Sequence, residues 1–416
     1  MARRETSTGG RSAAGGVIPG RWVLSVGNPG TTVPSGFAWR ALTDLARLES
    51  GHTPSRRHAE YWGGDIPWIG IRDATQNHGS MITSTSEGVS QEGIDNSSAR
   101  VLPAGTVCLS RTASVGFTVM MGRPMSTSQD FVNWVCGPEL NPRYLMYLFM
   151  LEQDSIRRFA HGTTHQTMYY PEAKALHVAV PDRAAQDRVV EVLGALDDLM
   201  DTNRMIARAC SELRRGVFAD VMARADEVNA FRDIAMLANE RACASDMTAD
   251  LAYLGLEHFQ EGGRGLASVG SAVGLDSLKS RFRPGDVLYG RLRPYFRKVA
   301  RPDFDGVCST EIWVLRPNNG VSPEFVEAVV STQDFTDFAM RGSGGTHMPR
   351  AAWDHVATFP VRTPRPAQLA YATETCRPLW EQEWDLHAEN VVLRRTRDEL
   401  LPILLTGAAV VREAEA

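Results

Sequence analysis

A dense basic segment in the second half of the chain carries the residues best suited to binding chemistry. Its eight cations lie within 23 residues that hold one acid, Asp286, and they are Lys279, Arg281, Arg283, Arg291, Arg293, Arg297, Lys298 and Arg301. Tyr289, Tyr295 and Phe296 are interleaved with them. Arginine forks bind phosphate or a guanine edge bidentately, and aromatic rings brace the fork or stack on a base. The segment predicts DNA contact, and the alternative is a solvated strand edge blunted by cations.

The strongest candidates for DNA binding are Arg291, Arg293, Arg297 and Lys298, with Arg281 and Arg283 beside them. Cations in the first half of the chain are more dispersed, and Arg72 and Arg111 are the weaker candidates there. Two loop histidines complete the set. His165 ends a Gly-Thr-Thr-His segment, and His347 ends a Gly-Gly-Thr-His segment.

Signatures of catalysis are scarce. Glu172-Ala173-Lys174 has the acid-x-Lys form of a metal-dependent nuclease signature, which needs a strand setting and an upstream Asp to hold Mg²⁺. Pro171 precedes the triplet, and an exposed turn is the better interpretation. His161 and His165 have metal-ligand spacing but no nearby acid in sequence, so loop histidines are favoured over a metal site. None of the three lysines lies in a phosphate-binding loop. We therefore predict no catalytic residue, no metal and no cofactor.

The chain repeats itself about 180 residues apart. Residues 102–111 correspond to 283–291, and Asn203 with Glu212 corresponds to Asn390 with Glu399 at identical spacing. One unit of this length is domain-sized, which indicates duplication rather than a short-period solenoid. A duplicated protein has pseudo-two-fold symmetry, and that symmetry suits a two-part target such as two DNA half-sites.

Each copy places a globular part before a long helix. Short apolar runs broken by Gly and Pro predict strands in the globular parts. Residues 183–222 repeat an apolar side chain every three or four positions, which predicts a helix of roughly 60 Å with Asn203 on its seam. Residues 368–405 form a second helical stretch, interrupted by Pro378 and Pro402. Their apolar stripes would be buried most simply in an antiparallel pair.

Some apolar residues lie off these stripes. Leu199 in the first helix, and Trp380 and Trp384 four apart in the second, predict a further apolar surface for partner helices. A wider core-facing stripe is the alternative for each residue. The predicted fold is α/β (α+β), with two globular domains separated by two long antiparallel helices, internal duplication and pseudo-two-fold symmetry.

Composition and length limit the number of domains and the class of protein that the chain can be. The 416 residues allow two or three domains, and the net charge of −5 excludes a uniformly basic surface. The six scattered cysteines predict reduced thiols in a cytoplasmic protein, and no apolar run approaches the ~18 residues of a membrane helix. Residues 1–36 are rich in Gly, Ser and Thr and predict a mobile tail. The remaining boundaries are a first domain at 37–181, a first helix at 182–228, a second domain at 229–363 and a second helix at 364–411.

The ordered motifs resemble the specificity (S) subunits of type I restriction–modification systems. In the second copy the resemblance rests on Tyr253-Leu254-Gly255-Leu256-Glu257-His258, on residues 282–295 and on Cys308-Ser309-Thr310-Glu311. In the first copy it rests on Ile66-Pro67-Trp68-Ile69 and residues 102–116. It covers residue 39 to about residue 405. The usual Pro-Pro-x-x-Glu-Gln run before each helix is altered, because Ala185 and Ala367 replace the Glu.

This resemblance implies a non-catalytic DNA-reading subunit. Each globular part would be a target-recognition domain that reads one half of a bipartite double-stranded DNA sequence. The helices would space the halves and dock two methyltransferase subunits, and a restriction/translocase subunit would join for cleavage. Two alternatives remain: a self-contained Mg²⁺ nuclease that uses Glu172 and Lys174, and a duplicated scaffold that binds only protein.

Overall fold

The computed structural model describes residues 16–162, 166–248, 251–260, 262, 265–344 and 348–409. The chain divides into two compact units. The first unit draws on Met1–Asp201 and Val391–Ala416, and the second is Thr202–Asn390. Each unit combines one mixed α/β globular part with segments of both long helices.

Twelve strands and seven helices are assigned in the described residues up to the end of the first long helix. The strands are β1 (Ile18–Pro19), β2 (Leu24–Val26), β3 (Ala38–Ala41), β4 (Ala46–Ser50), β5 (Trp62–Ile69), β6 (Met81–Ile82), β7 (Glu87–Val89), β8 (Val107–Ser110), β9 (Thr118–Met121), β10 (Ser126–Thr127), β11 (Phe131–Cys136) and β12 (Leu176–Val180). The helices are α1 (Leu42–Leu45), α2 (Ile71–Gln76), α3 (Gln91–Asp95), α4 (Pro142–Leu151), α5 (Gln153–Phe159), α6 (Tyr170–Lys174) and α7 (Arg183–Ala223).

The following described residues contain eleven strands and five helices. The strands are β13 (Glu227–Ala230), β14 (Ala235–Leu237), β15 (Arg241–Ala242), β16 (Ala252–Leu254), β17 (Gly270–Ser271), β18 (Lys279–Phe282), β19 (Val287–Gly290), β20 (Val299–Ala300), β21 (Gly306–Cys308), β22 (Ile312–Pro317) and β23 (Pro360–Thr363). The helices are α8 (Phe231–Ile234), α9 (Pro323–Val330), α10 (Gln333–Arg341), α11 (Trp353–Val356) and α12 (Pro366–Leu405).

Four strands have the same order in a sheet of each globular part, which confirms the internal duplication, and the sheet of the first part has one further strand, β6. The first contains β4-β11-β8-β9-β6, and the second contains β14-β22-β19-β20. Each of these sheets is built around a central antiparallel pair, β11 with β8 and β22 with β19. A second similarity lies outside these sheets, where β10 runs parallel to β5 and β21 runs parallel to β16.

Equivalent helices begin in the same way in both copies. The Asn141 side chain accepts hydrogen bonds from the Arg143 and Tyr144 amides at the start of α4, and Pro142 occupies the first turn. Ser322 caps α9 by accepting from the Phe325 amide, again with proline in the first turn. A polar cap followed by proline is favoured because the cap satisfies free amides and proline has none to satisfy. Both helices then bury an apolar face against their sheets.

The long helices complete the two hydrophobic cores. Leu193 of α7 and Leu405 of α12 are buried in the core of the first unit. Phe218 of α7 and Cys376 of α12 are buried in the core of the second unit. The helices are therefore part of each globular fold, which agrees with the apolar stripe seen in the sequence.

Direct hydrogen bonds join the helices within each unit. In the first unit Arg397 Nη1 lies 2.9 Å from Asp197 Oδ1. In the second unit Asn203 Nδ2 donates to Asn390 Oδ1 at 3.1 Å, and Arg214 Nη2 donates to Glu383 Oε2 at 2.6 Å. Residue numbers rise along α7 as they fall along α12 in these contacts, so the helices run antiparallel, as predicted. The interruptions expected at Pro378 and Pro402 do not occur, because α12 continues through both residues.

The N-terminal segment differs from the mobile tail that its composition predicts. Residues 18–26 form β1 and β2, and β2 pairs with β12. Val23, Leu24 and Val26 are buried in the core of the first unit. The predicted tail therefore does not hold for these residues, and residues 1–15 lie outside the described part of the chain.

A single buried carboxylate explains the order of this segment. Glu152 Oε1 accepts hydrogen bonds from the amides of Trp22, Val23 and Leu24 at 2.7, 2.6 and 3.1 Å, and Oε2 accepts from the Arg21 amide at 3.1 Å. Glu152 is completely buried. An ionised acceptor strengthens each of these bonds, so one side chain holds four consecutive residues.

Candidate nucleic-acid interface

The strongest predicted candidates lie in the turn that follows β19. The Arg291 amide donates to the Glu311 carbonyl, and its carbonyl accepts from the Ala351 amide, each at 2.9 Å. The Arg291 guanidinium lies 5.7 Å from the centre of the Trp313 ring. The two backbone hydrogen bonds hold the main chain at Arg291, and its half-buried side chain lies near the Trp313 ring.

Two arginines in this turn have left-handed backbone. Arg293 has φ of 51° and Arg297 has φ of 47°, and they flank the 3-10 turn Pro294–Phe296. Non-glycine residues rarely adopt this conformation, and where they do it is often at a functional site. Tyr295 at the tip of the turn is 48% exposed and lies beside Phe296, with ring centres 4.6 Å apart. The turn therefore presents an aromatic side chain between two arginines.

The Nε atoms of Arg291 and Arg293 are buried and have no hydrogen-bond partner among the described residues. A donor of this kind costs free energy unless something pairs with it. The assignment of these two side chains to a polyanion or a base edge stays a prediction.

Three other cations of the basic segment form hydrogen bonds or ion pairs with residues of the chain itself. Lys279 is buried and donates to the Ser277 carbonyl at 3.0 Å, and Arg301 is buried and pairs with Glu324 and Glu327. Lys298 Nζ donates to the Leu256 carbonyl at 2.8 Å. Lys298 is therefore a structural tether as well as a candidate contact, which weakens its assignment to DNA. Arg281 is half-buried on β18, and Arg283 is exposed immediately after that strand.

The first unit repeats the geometry around Arg111. The Arg111 amide donates to the Asp130 carbonyl, and its carbonyl accepts from the Met168 amide, each at 2.8 Å. Its Nε donates to the Gln129 carbonyl at 3.1 Å. Two residues later Ala113 has φ of 62°, which matches the left-handed Arg293 of the second unit. Arg111 and Arg291 are thus equivalent by sequence, by hydrogen bonding and by backbone shape. Arg72, by contrast, is an exposed residue of α2.

Equivalent loops pass beside the two arginines. Thr167 forms bridges with Thr112 and His161 in the first unit, and Arg350 forms bridges with Leu292 and Gly344 in the second. His165 and His347, the two histidines predicted to bind DNA, lie outside the described residues. Arg350, which pairs with Glu311 at 3.0 Å, is a further cation here that sequence reasoning missed. Arg350 lies three residues after the Gly-Gly-Thr-His segment, so the sequence motif indicates this part of the chain but not this residue.

The tryptophans predicted to bind partner helices pack within the second unit. Trp384 lies 5.9 Å from Phe304, measured between ring centres, and belongs to an apolar cluster of the globular part. Trp380 stacks on Trp384 and faces the Arg301 guanidinium at 4.0 Å. The partner assignment of both tryptophans is therefore replaced by the core-facing alternative. Leu199 is 41% exposed on α7, so its assignment stays a prediction.

The nuclease candidates are arranged differently from what their signature requires. Glu172 and Lys174 lie on the short helix α6 rather than on a strand. The Lys174 ammonium faces the Tyr170 ring at 5.6 Å, and Glu172 Oε1 lies 3.5 Å from Nε2 of His161. An acid does therefore lie near His161, contrary to the expectation from sequence. Within the described residues there is no group of three or more potential metal ligands. Nor does any helix among them have the length and apolar composition needed to cross a membrane.

The family model and the similar proteins found by comparison all belong to one kind of protein. Residues 34–208 match the family model of the type I restriction modification DNA specificity domain. The type I restriction enzyme MjaIX specificity subunit of Methanocaldococcus jannaschii is 27% identical over 194 residues, 45% of this chain and 45% of that protein. The type I restriction enzyme HindI specificity subunit of Haemophilus influenzae is 33% identical over 127 residues, 30% of this chain and 27% of that protein. The chain thus spans less than half the length of these relatives.

One solved structure shares the fold along almost the whole chain. The S subunit of a type I restriction-modification system from M. genitalium has a TM-score of 0.53 at 14% identity. The match covers 92% of this chain and 99% of that one. It agrees with the duplicated α/β architecture described above.

Proposed function

We propose that the chain is a non-catalytic specificity subunit, because residues 34–208 match the model of the type I restriction modification DNA specificity domain and the sequence motifs resemble that family. It binds double-stranded DNA and reads a bipartite target, one half with each globular part. The observation that supports this most is the equivalence of Arg111 and Arg291, with the same backbone hydrogen bonds in both units. Two copies of one cation-bearing turn suit two half-sites read in the same manner.

The proposal also includes partner subunits. Two methyltransferase subunits and a restriction/translocase subunit would supply the chemistry, so the chain needs no cofactor of its own. Apolar side chains exposed on the long helices support docking of partners. They are Leu199, Met205, Leu213, Tyr371, Val391 and Val392, each more than 40% exposed. Partner subunits can also contribute the positive charge that this chain, at net −5, lacks.

The direct experiment assembles the chain with a methyltransferase subunit of a type I restriction–modification system. The complex is incubated with a genomic library, and methylated positions are mapped by sequencing. We expect one motif with two defined halves and a fixed non-specific spacer, and an affinity that falls steeply with salt as counterions are released. Methylation without a bipartite motif would overturn the proposal. Salt-independent binding would favour the protein-binding scaffold instead.

The nuclease alternative is tested separately. The purified chain alone is incubated with supercoiled plasmid and Mg²⁺, beside a Glu172→Gln variant. We expect no nicking by either protein, because Glu172 is only 5% exposed and lies on a helix. Cleavage by the unaltered chain that Glu172→Gln abolishes would establish the nuclease.

A further inference from the structure

A buried charge network joins the globular part of the second unit to both long helices. Its centre is Glu327 of α9, whose Oε2 accepts from Arg214 Nη1 of α7 and from Arg301 Nε, each at 3.1 Å. Arg214 uses its other terminal nitrogen to reach Glu383 Oε2 of α12 at 2.6 Å. One guanidinium fork therefore spans two carboxylates that belong to different elements.

Arg301 belongs to the globular part and pairs with Glu324 and Glu327 of α9. Its Nη1 lies 3.2 Å from Glu324 Oε1, and its guanidinium lies 4.0 Å above the Trp380 ring of α12. Arg214, Arg301, Glu324 and Glu383 are each less than 9% exposed. A cavity of about 10 Å³ beside Arg214 has room for about one water molecule. The site is therefore closely packed as well as charged.

Energy alone does not account for such a network. Burying charges is costly, and apolar residues of similar volume are often as stabilising or more so. The pKa values of two acids in the network shift in opposite directions. Burial raises the pKa of Glu383, whereas the guanidinium groups of Arg214 and Arg301 hold the pKa of Glu327 low despite its burial. Directional hydrogen bonds between fixed charges do specify one arrangement of the elements that carry them, which an apolar contact does less strictly.

The network is connected to the candidate nucleic-acid interface through strands β20 and β19. Arg301 directly follows β20, and β20 pairs with β19, the strand that leads into Arg291. A shift of Arg301 would therefore move the turn that carries Arg293 and Arg297. The first unit links its globular part to the helices with other residues, since Asp197 accepts from Tyr147 and Arg397. The network around Glu327 is thus specific to the second unit.

We propose that Arg214, Glu327 and Arg301 are positioning residues that set the orientation of the second DNA-contacting turn on the helix pair. This inference rests on the proposed function. Its consequence is a strict spacer: the second half-site is accepted only at one distance from the first. The residues need not touch DNA to have this effect.

The test variant is Arg214→Lys, which keeps the charge but cannot bridge two carboxylates as a fork does. The complex with the methyltransferase is presented with DNA carrying both native half-sites, separated by spacers of varied length. We expect its preference for the native spacer over neighbouring lengths to fall about tenfold, while the sequence of each half-site is unchanged. Arg208→Lys, an exposed change on the same helix, serves as the control and should leave the preference intact.

A purely structural role would lower the thermal stability and the binding of all spacers alike. A second variant, Glu383→Gln, is included in case Arg214→Lys folds poorly. Glutamine has the same shape as glutamate, and burial already raises the pKa of Glu383, so the substitution should disturb folding little. Unchanged spacer preference in both variants would overturn the inference and leave the proposed function standing. Loss of any bipartite preference in the unaltered complex would instead overturn the proposed function.

Discussion

Ala113 and Arg293 are equivalent residues that share a left-handed backbone, with φ of 62° and 51°. Each lies two residues after the arginine that we assign to DNA. This conformation costs a residue with a Cβ roughly 1–2 kcal/mol, whereas glycine adopts it freely. The shared conformation supports the proposal that the two turns present their arginines in the same way.

The strain at Ala113 predicts the effect of a single substitution. Ala113→Gly relieves the left-handed backbone at an exposed site, and the gain exceeds the greater unfolded-state entropy of glycine. We expect the free energy of unfolding to rise by about 0.5–1 kcal/mol. Denaturant unfolding of the purified chain measures this. Ala104→Gly is the matched control, because Ala104 is also exposed but lacks positive φ, and it should lower stability by about 0.5–1 kcal/mol. A destabilising Ala113→Gly would show that the turn is unstrained.

Local sequence missed the structural roles of several residues for a physical reason. Arg291 and Arg301 belong to the same basic segment, yet Arg301 is buried because Glu324 and Glu327 on α9 fold back onto it. Those glutamates lie more than twenty residues away, outside any window that measures charge density. Trp380 and Trp384 were misassigned in the same way, because Phe304 and Arg301, which cover them, come from a distant segment.

At the scale of elements, periodicity was the reliable signal and composition was not. The repeat of apolar residues over 183–222 predicted α7, which ends at Ala223, whereas the boundary of the first helix at 228 lies beyond that end. Short apolar runs broken by Gly and Pro predicted strands in both globular parts, where the central strands β8, β11, β19 and β22 lie. The composition of residues 1–36 predicted a tail, whereas β1 and β2 form there and Glu152 accepts hydrogen bonds from the amides of residues 21–24. That carboxylate lies about 130 residues downstream, so no property of the N-terminal segment itself reveals it.

The carboxylate at Glu152 predicts how the N-terminal segment would be released. In Glu152→Gln the charge is lost and an amide donor faces the amides of residues 21–24, so those bonds weaken or break. Hydrogen bonds to a charged acceptor contribute about 1.5–3 kcal/mol each, and we expect a loss of at least that much for the segment. Amide hydrogen exchange at residues 22–24 should accelerate in the variant. Glu139→Gln, at an exposed glutamate of the same unit, is the control. Unaltered protection in Glu152→Gln would mean that strand pairing alone holds the segment.

At the scale of the whole molecule, duplication organises both the fold and the candidate function. Sheet order, helix caps and the turns at Arg111 and Arg291 all occur twice. The two copies differ in two respects. The second has more cations in its basic segment, and it contains the buried charge network around Glu327. This combination suits two half-sites of different sequence, because the scaffold is shared while the contacting side chains are not.

The most direct measurement compares Arg111→Ala with Arg291→Ala in the assembled complex, using selection from a randomised DNA library. We expect Arg111→Ala to relax one half-site and Arg291→Ala to relax the other, each by about 1–3 kcal/mol at one base pair, with the opposite half-site unchanged. The spacer should remain the same in both variants. If both substitutions altered the same half-site, or neither altered any, the two units would not be the two readers of a bipartite target.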